Sequence, residues 1–181
     1  MGWTIRRAVP ADADRIAAIT IAGWRHTYRG IVTDDRLDAL DPAVFAEARR
    51  RAITAPDPTR VFVAQDGDGA VRGYCVVGPL RVPEQSGDTT VPSAELHSLY
   101  LDPPVIGTGA GRALHDAGVA HLGACGFRRA VLWVYSANTA AQQFYARRGW
   151  RAESEPYQPP EWSAPATLWA RALRTSGRTR N

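Results

Sequence analysis

One segment of the sequence determines how the rest of the chain can be arranged, and it reads Glu95-Leu96-His97-Ser98-Leu99-Tyr100-Leu101-Asp102-Pro103-Pro104-Val105-Ile106-Gly107-Thr108-Gly109-Ala110-Gly111-Arg112. Its first half is apolar and β-favouring, which predicts a strand that Asp102-Pro103-Pro104 ends. Three alternating glycines follow, and a helix is predicted from Arg112 onward. The segment therefore predicts a strand, a glycine-rich turn and a helix in direct succession.

This succession is typical of a site that binds phosphate. A helix that begins after such a turn directs its free backbone N–H groups and the positive end of its dipole at one point. Gly107, Gly109 and Gly111 have no Cβ, so a phosphate can approach the backbone closely. A turn that binds nothing is the alternative, but three glycines are conformationally costly without a use.

Two kinds of nucleotide site are weaker alternatives. A Walker A loop needs Lys and then Ser or Thr after its last glycine, whereas Arg112 and Ala113 follow here. A dinucleotide fingerprint needs a glycine at position 112 and an acid at the end of the next strand, which instead ends in Trp133-Val134-Tyr135. The phosphate-binding turn therefore fits neither pattern.

The flanking sequence predicts one α+β domain with three layers, in which helices cover both faces of a mixed, mostly antiparallel sheet of six to seven strands. The predicted helices are 11–23, 34–40, 42–55, 112–123 and 139–148, and the predicted strands are 3–9, 60–65, 71–78, 94–101, 130–135, 150–153 and 166–173. Residues 79–93 are predicted to form an exposed loop. In the helix 42–55 we expect Val44, Ala48 and Ala52 to form the apolar face and Arg49-Arg50-Arg51 to lie mostly in water.

Composition limits the function classes. The chain has 181 residues, a formal net charge of +4 and 22 basic residues, all of them arginine. We expect a single domain over residues 1–173 and a flexible basic tail over 174–181. Cys75 and Cys125 lie in apolar sequence and are expected to be unpaired core thiols in a reducing compartment. No signal peptide and no run of membrane-spanning length is found, so a cytoplasmic protein that engages no membrane is expected, and nucleic acid is not an expected partner.

Two motifs resemble those of the GNAT superfamily of N-acetyltransferases. Residues 99–103 with 107–112 resemble its acyl-CoA-binding motif, and residues 138–150 resemble its second signature, N-x-x-A-x-x-F-Y-x-x-x-G-aromatic. Residues 24–30 are similar to the acceptor-side helix of members that act on small molecules. The resemblance extends from about residue 5 to residue 173 and implies the GNAT fold, with acetyl-CoA as co-substrate and no metal.

The resemblance also implies a set of cofactor-binding residues. Main-chain groups of Leu99 and Leu101 would contact the pantetheine arm, and Asn138 would contact it from the other side. The pyrophosphate would lie on the turn Ile106, Gly107, Thr108, Gly109, Ala110, Gly111 and Arg112. Ile106 replaces a polar family residue and Thr108 a basic one, so side-chain contacts to phosphate are lost while the backbone contacts remain.

Three residues are candidates for the catalytic chemistry. The resemblance implies that Tyr145 gives a proton or hydrogen bond to the departing thiolate, which a phenol can do. It also implies that Glu95 removes a proton from the amine, often through water. His97 lies two residues further along the same strand face and is an alternative base. The implied reaction is direct attack of the amine on the thioester.

The acceptor is expected to bind among aromatic residues, beside the loop 80–93. The expected contacts are Trp24, His26, Tyr28, Tyr157, Glu161 and Trp162. Their rings suit an organic amine, and Glu161 is expected to attract a cation. The expected function is acetyl transfer to a primary amine of a small molecule or peptide. A catalytically inactive acyl-CoA-binding regulator is the main alternative, a nucleotide-binding domain the weaker one, and a homodimer is compatible with the family.

Overall fold

A computed structural model describes residues 2–81, 90–158 and 162–174. Its strands are β1 (Thr4–Arg7), β2 (Arg60–Gln65), β3 (Val71–Gly78), β4 (Ser93–Leu101), β5 (Arg129–Tyr135), β6 (Arg151–Ala152) and β7 (Ala166–Ala172). Its helices are α1 (Ala13–Tyr28), α2 (Asp34–Asp38), α3 (Pro42–Thr54), α4 (Ala110–Ala124) and α5 (Thr139–Ala146), with short 3-10 turns at Pro10–Asp12 and Pro103–Val105.

The strands form one seven-stranded sheet in the order β1-β2-β3-β4-β5-β7-β6, with β4 at its centre. All neighbouring strands are antiparallel except β4 and β5, which are parallel. Ile16 and Ile19 of α1 pack on one face of the sheet, and Leu114 and Leu122 of α4 pack on the other. The three-layer α+β fold predicted from the sequence is confirmed. No helix among the described residues is long and apolar enough to cross a membrane.

The two parallel strands separate soon after they pair. Ladder pairing joins residues 93–95 of β4 to residues 129–131 of β5, and it does not continue beyond Glu95 and Val131. Each strand remains paired on its other side, β4 to β3 as far as Leu101 and β5 to β7 as far as Tyr135. The sheet is therefore split at its centre, and the facing backbone edges of β4 and β5 are exposed to the space between them.

A β-bulge in β4 lies next to this split. Ser98 pairs with Val76 and Leu96 pairs with Val77, so His97 is the extra residue. A bulge of this kind turns two consecutive side chains toward the same face. The ring of His97 lies over Gly78, where an added Cβ would come within 3.0 Å of His97 Cε1.

Two helices differ from their predicted form. Helix α1 continues five residues past Gly23, because glycine there allows the helix to approach the Tyr100 ring, whose Cδ1 would lie 3.1 Å from an added Cβ. The apolar face predicted for α3 is wrong at Val44 and Ala48, which are exposed, Val44 at 64%; Ala52 packs against the core as predicted, and the fully buried residue is Ala46. The face of α3 that contacts the rest of the protein therefore differs from the predicted one, and Arg49 is half-buried instead of lying in solvent. An alanine-rich helix gives a weak periodic signal, which explains the error.

Candidate active site

The glycine turn has the geometry that its sequence predicts. Gly107 and Gly109 have φ angles of 85° and 95°, and Gly109 is the N-cap of α4. The first hydrogen bond of the helix runs from the Ala113 N–H to the Gly109 carbonyl, at 3.1 Å. Among the described residues, the N–H groups of Gly111 and Arg112 therefore have no acceptor. These donors are available to an anion at the helix N-terminus.

A cavity beside this turn, here called the glycine-turn cavity, is strongly cationic. Its lining includes Gly107, Gly109 and Gly111 together with the basic side chains Arg112, Arg147, Arg148 and Arg171. Asp116 is the acid that lines it, and Arg112 Nε lies 3.6 Å from Asp116 Oδ2. Thr108 and Ala110 are absent from the lining; the Thr108 hydroxyl instead donates to the Val105 carbonyl at 2.7 Å and closes the turn.

A second cavity, the central cavity, occupies the split between β4 and β5. Leu99, Leu101, Ile106 and Asn138 line it, as do Leu96, Leu132 and Val134. Asn138 is the N-cap of α5, and its side-chain oxygen accepts a hydrogen bond from the Ala141 N–H at 3.1 Å. An apolar channel with exposed strand edges along its walls fits a long, thin ligand that carries amide groups.

Tyr145 of α5 closes one side of the central cavity. The residue is only 8% exposed, and its ring packs edge-on against Phe144 and Trp150. Its hydroxyl has no hydrogen-bond partner among the described residues, yet it is not sealed from the cavity. Burial raises the pKa of the phenol well above its usual value, so the hydroxyl keeps its proton.

His97 and Glu95 differ sharply in their surroundings. Glu95 is almost completely buried, and its carboxylate accepts hydrogen bonds from the Arg81 backbone N–H at 2.9 Å and from Arg81 Nε at 2.8 Å, with an ion pair to the same guanidinium. His97 Nε2 lies 2.8 Å from the Pro79 carbonyl and must donate to it, which leaves Nδ1 as the acceptor. Burial lowers the pKa of His97, so the ring is neutral near pH 7.

A third cavity, the aromatic cavity, adjoins the central one. Trp24, Tyr28 and Trp162 line it, as the sequence predicts, together with Phe45, Tyr100, Trp133 and Tyr135. The Tyr28 and Tyr100 hydroxyls lie 2.9 Å apart, and burial raises the pKa of Tyr28 to about 12. His97, Ser98 and Tyr100 line both cavities, which places the bulge of β4 at their boundary.

Two residues expected near the acceptor, His26 and Tyr157, are not brought there. His26 is exposed, because it lies two positions from Trp24 on α1 and so points away from the face that carries Trp24 and Tyr28. Tyr157 is 46% exposed and pairs through its backbone with Ala166, outside the lining of all three cavities. Glu161 and residues 82–89 of the predicted loop lie outside the described part of the chain.

The structure also brings in residues that the sequence did not single out. Arg147 and Arg148 lie within the second motif and Arg171 on β7, yet all three reach the glycine-turn cavity. Arg49 joins the aromatic cavity from α3. Only the Arg147-Arg148 pair could have been found from sequence, since it directly follows the Phe144-Tyr145 signature.

The sequence of this chain matches a known protein family and several known proteins. Residues 23–150 match the family described as "Acetyltransferase (GNAT) family". The chain is 34% identical over 136 residues to YuaI, an uncharacterised N-acetyltransferase of Bacillus subtilis, covering 75% of this chain and 73% of that protein. It is also 39% identical over 93 residues to a mycothiol acetyltransferase of Geodermatophilus obscurus, covering 51% of this chain but only 29% of that protein.

Solved structures share the fold. The PaiA N-acetyltransferase of Thermoplasma acidophilum, in complex with coenzyme A, superposes with a TM-score of 0.74 at 19% identity, covering 93% of this chain and 98% of that one. A phosphinothricin acetyltransferase of Sinorhizobium meliloti, in complex with acetyl-CoA, gives a TM-score of 0.74 at 23% identity, covering 99% and 93%. At these identities the likeness establishes the three-layer architecture.

Proposed function

The chain belongs to the acetyltransferase (GNAT) family, and on this premise we propose that it transfers the acetyl group of acetyl-CoA to a primary amine of a small molecule or a peptide. The observation that carries the proposal is the order of the three cavities. The glycine-turn cavity and the central cavity share Leu101, Ile106 and Gly111, and the central and aromatic cavities share His97 and Tyr100. Phosphate donors, an apolar channel and an aromatic chamber therefore follow one another in contact.

The residues present fit acetyl-CoA, which supplies the acetyl group as a reactive thioester. The free N–H groups at the start of α4 and the four arginines of the glycine-turn cavity would hold its phosphates. The exposed edges of β4 and β5, with Leu99 and Leu101 on one side and Asn138 on the other, would hold its arm. Ile106 is 52% exposed at the junction of the two cavities, where it offers apolar contact in place of a polar one.

Tyr145 is proposed as the proton donor to the departing thiolate. Its hydroxyl keeps its proton, lies open to the central cavity and has no partner among the described residues. A phenol in such a position can stabilise a thiolate by donating a hydrogen bond or the proton itself. The edge-on contacts with Phe144 and Trp150 fix the ring and therefore the position of the hydroxyl oxygen, and the O–H can rotate toward the thiolate.

His97 is proposed as the base that takes the proton from the amine. Its neutral ring lies at the boundary of the central and aromatic cavities, and Nδ1 has no partner among the described residues. Glu95, the other candidate, is bound to Arg81 and absent from the lining of the three cavities. We therefore assign Glu95 the role of positioning Arg81 and the chain near Pro79, the acceptor for His97 Nε2.

Direct transfer is proposed rather than transfer through the enzyme. Among the described residues that line the three cavities there is no cysteine: Cys75 is buried on β3, as expected, whereas Cys125, which was expected in the core, is exposed at the end of α4. Holding amine and thioester together supplies much of the rate gain of such a reaction. His97 takes one proton and Tyr145 gives one, so the protons balance.

A thermal-shift comparison tests the proposal. Acetyl-CoA at about 100 times its Kd should stabilise the protein by ~2.7 kcal/mol, whereas ATP and NAD should not. Thiol release from acetyl-CoA with a panel of amines then separates an enzyme from a regulator. Stabilisation by ATP or NAD alone would contradict the proposal that acetyl-CoA is the co-substrate. Binding of acetyl-CoA without thiol release from any amine would favour the inactive regulator.

A further inference from the structure

The aromatic cavity carries a positive charge that the proposed acetyl transfer does not by itself require. Three arginines line it, Arg36, Arg49 and Arg81, and no acidic side chain is found among its described lining residues. Arg81 is paired with Glu95, and Arg36 donates to the Ser163 hydroxyl at 2.7 Å. Whether the cavity has an unpaired positive charge that a ligand could bind therefore depends on the interactions of Arg49.

Arg49 has no hydrogen bond and no ion pair with any described residue. Its Nε is buried without an acceptor, and its guanidinium carbon lies 5.5 Å from the centre of the Tyr74 ring. Its neighbours on α3 behave differently: Arg50 bonds to Asp14 at 2.6 Å and Arg51 to Glu47 at 2.9 Å. The one arginine of this trio that turns inward is thus the one that lacks a partner.

Trp24, which also lines this cavity, carries a second buried donor without a partner. Its indole Nε1 is buried and has no acceptor among the described residues, while its ring packs edge-on against Tyr28 and Phe45. A buried donor without an acceptor destabilises a folded protein, and such groups in native structures call for an explanation. Trp24 Nε1 and Arg49 Nε are themselves sealed from the cavity. The terminal nitrogens of Arg49 are not sealed and have no partner among the described residues, and a ligand that brings acceptors and negative charge explains them.

We propose that the acceptor substrate is a small primary amine that also carries a carboxylate, as an amino acid does, with the carboxylate bound by the terminal nitrogens of Arg49. This inference rests on the proposed acetyl transfer and specifies its second substrate. A carboxylate offers two oxygens to a guanidinium and further lone pairs to an N–H donor. The surrounding rings would hold an apolar side chain.

The same charges act on the reacting amine. Positive groups nearby disfavour the protonated form of an amine, and only the neutral form can attack. A polyamine would bring further positive charge toward Arg36 and Arg49 without supplying an acceptor for either unpaired donor. The described lining therefore favours an amine with an anionic group over a polyamine; Glu161, which was expected to attract a cation, lies outside the described residues.

Matched pairs of ligands test the inference without relying on turnover. L-phenylalanine, L-leucine and L-methionine are each compared with the amine that lacks the carboxylate, namely 2-phenylethylamine, 3-methylbutylamine and 3-(methylthio)propylamine. Binding is measured by calorimetry in the presence of CoA, and thiol release from acetyl-CoA is measured in parallel. The variants are Arg49→Gln, Arg49→Lys and, as the control on the outer side of the same helix, Arg50→Gln.

We expect at least one amino acid to bind about tenfold or more tightly than its carboxylate-free partner, as one charge-assisted hydrogen bond allows. Arg49→Gln should remove that difference, Arg49→Lys should keep part of it, and Arg50→Gln should keep all of it. Equal binding within every pair, no binding by any amino acid, or a difference that survives Arg49→Gln would overturn the inference. An absence of thiol release with every amine would instead count against the proposed function, because the binding comparison is decided separately.

Discussion

Tyr145 occupies a position that is hard to explain by packing alone. A tyrosine that serves only the core usually finds a partner for its hydroxyl, whereas this one leaves it unpaired at the wall of the central cavity. Phenylalanine would fill the same volume without an unpaired polar group. The hydroxyl is therefore best explained by the ligand that it meets.

Replacing Tyr145 with phenylalanine should lower kcat by about 10²-fold, the lower end of the usual contribution of a proton donor. Affinity for acetyl-CoA should change little, since the hydroxyl is proposed to act on the departing thiolate. Thiol-release kinetics and calorimetric titration with acetyl-CoA check the two parts. Unchanged kcat in the variant would remove Tyr145 as the donor.

The His97 assignment predicts a pH dependence. Burial is the main cause of its lowered pKa; the Pro79 carbonyl and Glu95 oppose the shift, and Arg81 and Arg49 add to it. The wild-type ring is then neutral at pH 7, and kcat/KM should fall only once the pH drops below about 6.5, as His97 becomes protonated. His97→Gln, whose amide can still donate to the Pro79 carbonyl, should lower kcat about 10²-fold. It should also abolish the fall of kcat/KM at low pH, here called the acid limb of the activity profile.

Glu95 provides the comparison for that result. Glu95→Gln keeps the size of the side chain but weakens the ion pair with Arg81. It should lower stability while the acid limb of the activity profile stays in place. A lost acid limb in Glu95→Gln, with a retained one in His97→Gln, would reverse the assignment.

At the scale of the elements, the start of α4 allows a test of whether its free backbone N–H groups bind the phosphates of acetyl-CoA. Gly109 has a φ of 95° and open space where a Cβ would lie, so Gly109→Ala adds strain of ~1–2 kcal/mol without a steric clash. The strain should shift the free N–H groups and weaken acetyl-CoA binding. Gly69→Ala in the β2–β3 hairpin is the matched control, since its φ is 78° and its surroundings are equally open.

Chemical unfolding and acetyl-CoA titration of both variants separate the two effects. Both substitutions should cost similar stability, but only Gly109→Ala should raise the Kd for acetyl-CoA. Equal affinity in the two variants would show that the turn does not hold the cofactor.

His115 links α4 to the end of α5 and predicts how stability depends on pH. Trp150 Nε1 donates to His115 Nε2 at 2.9 Å, so the ring must be neutral, with Nδ1 donating to Asp116 at 2.8 Å. Burial lowers the pKa of His115 below its unfolded value of about 6.5. Below that pH the unfolded chain binds more protons than the folded one, so stability falls as the pH falls.

The free energy of unfolding, measured by denaturant titration between about pH 7 and pH 5, checks this sign. His115→Gln, which can still accept from Trp150, should be less stable at pH 7 but should lose less stability toward pH 5. An equal pH slope in the variant and the wild type would mean that other groups cause the dependence.

The elements themselves were largely predictable, and the reasons are local. Glycine, proline and the alternation of apolar residues predicted β4, the turn and α4 within two residues of their ends. The bulge at His97 was not predictable, because it arises from the register with β3. The inward turn of Arg49 was missed for a similar reason, since it depends on how α3 is rotated about its own axis against α1. Ala46 and Ala48 are equally apolar, so the sequence does not show which of the two faces inward.

At the scale of the whole molecule, the split sheet brings distant parts of the chain together. The first motif recognised in the sequence runs from the end of β4 through the glycine turn into α4, and the second covers α5, so both meet where the central cavity joins the glycine turn. The aromatic cavity is assembled from α1, α3, β4, β5 and the segment around Trp162, which share no motif. The sequence therefore predicted the lining of the proposed cofactor site in detail, and that of the aromatic cavity only through Trp24, Tyr28 and Trp162.

The measurement that tests the central claim most directly follows the acetyl group itself. The protein is incubated with acetyl-CoA deuterated in its acetyl group and with the amine panel, and mass spectrometry locates the label. The account predicts that the label appears on the nitrogen of at least one amine, at a rate that Tyr145→Phe reduces. A protein that binds acetyl-CoA but leaves the label on CoA with every amine would contradict it.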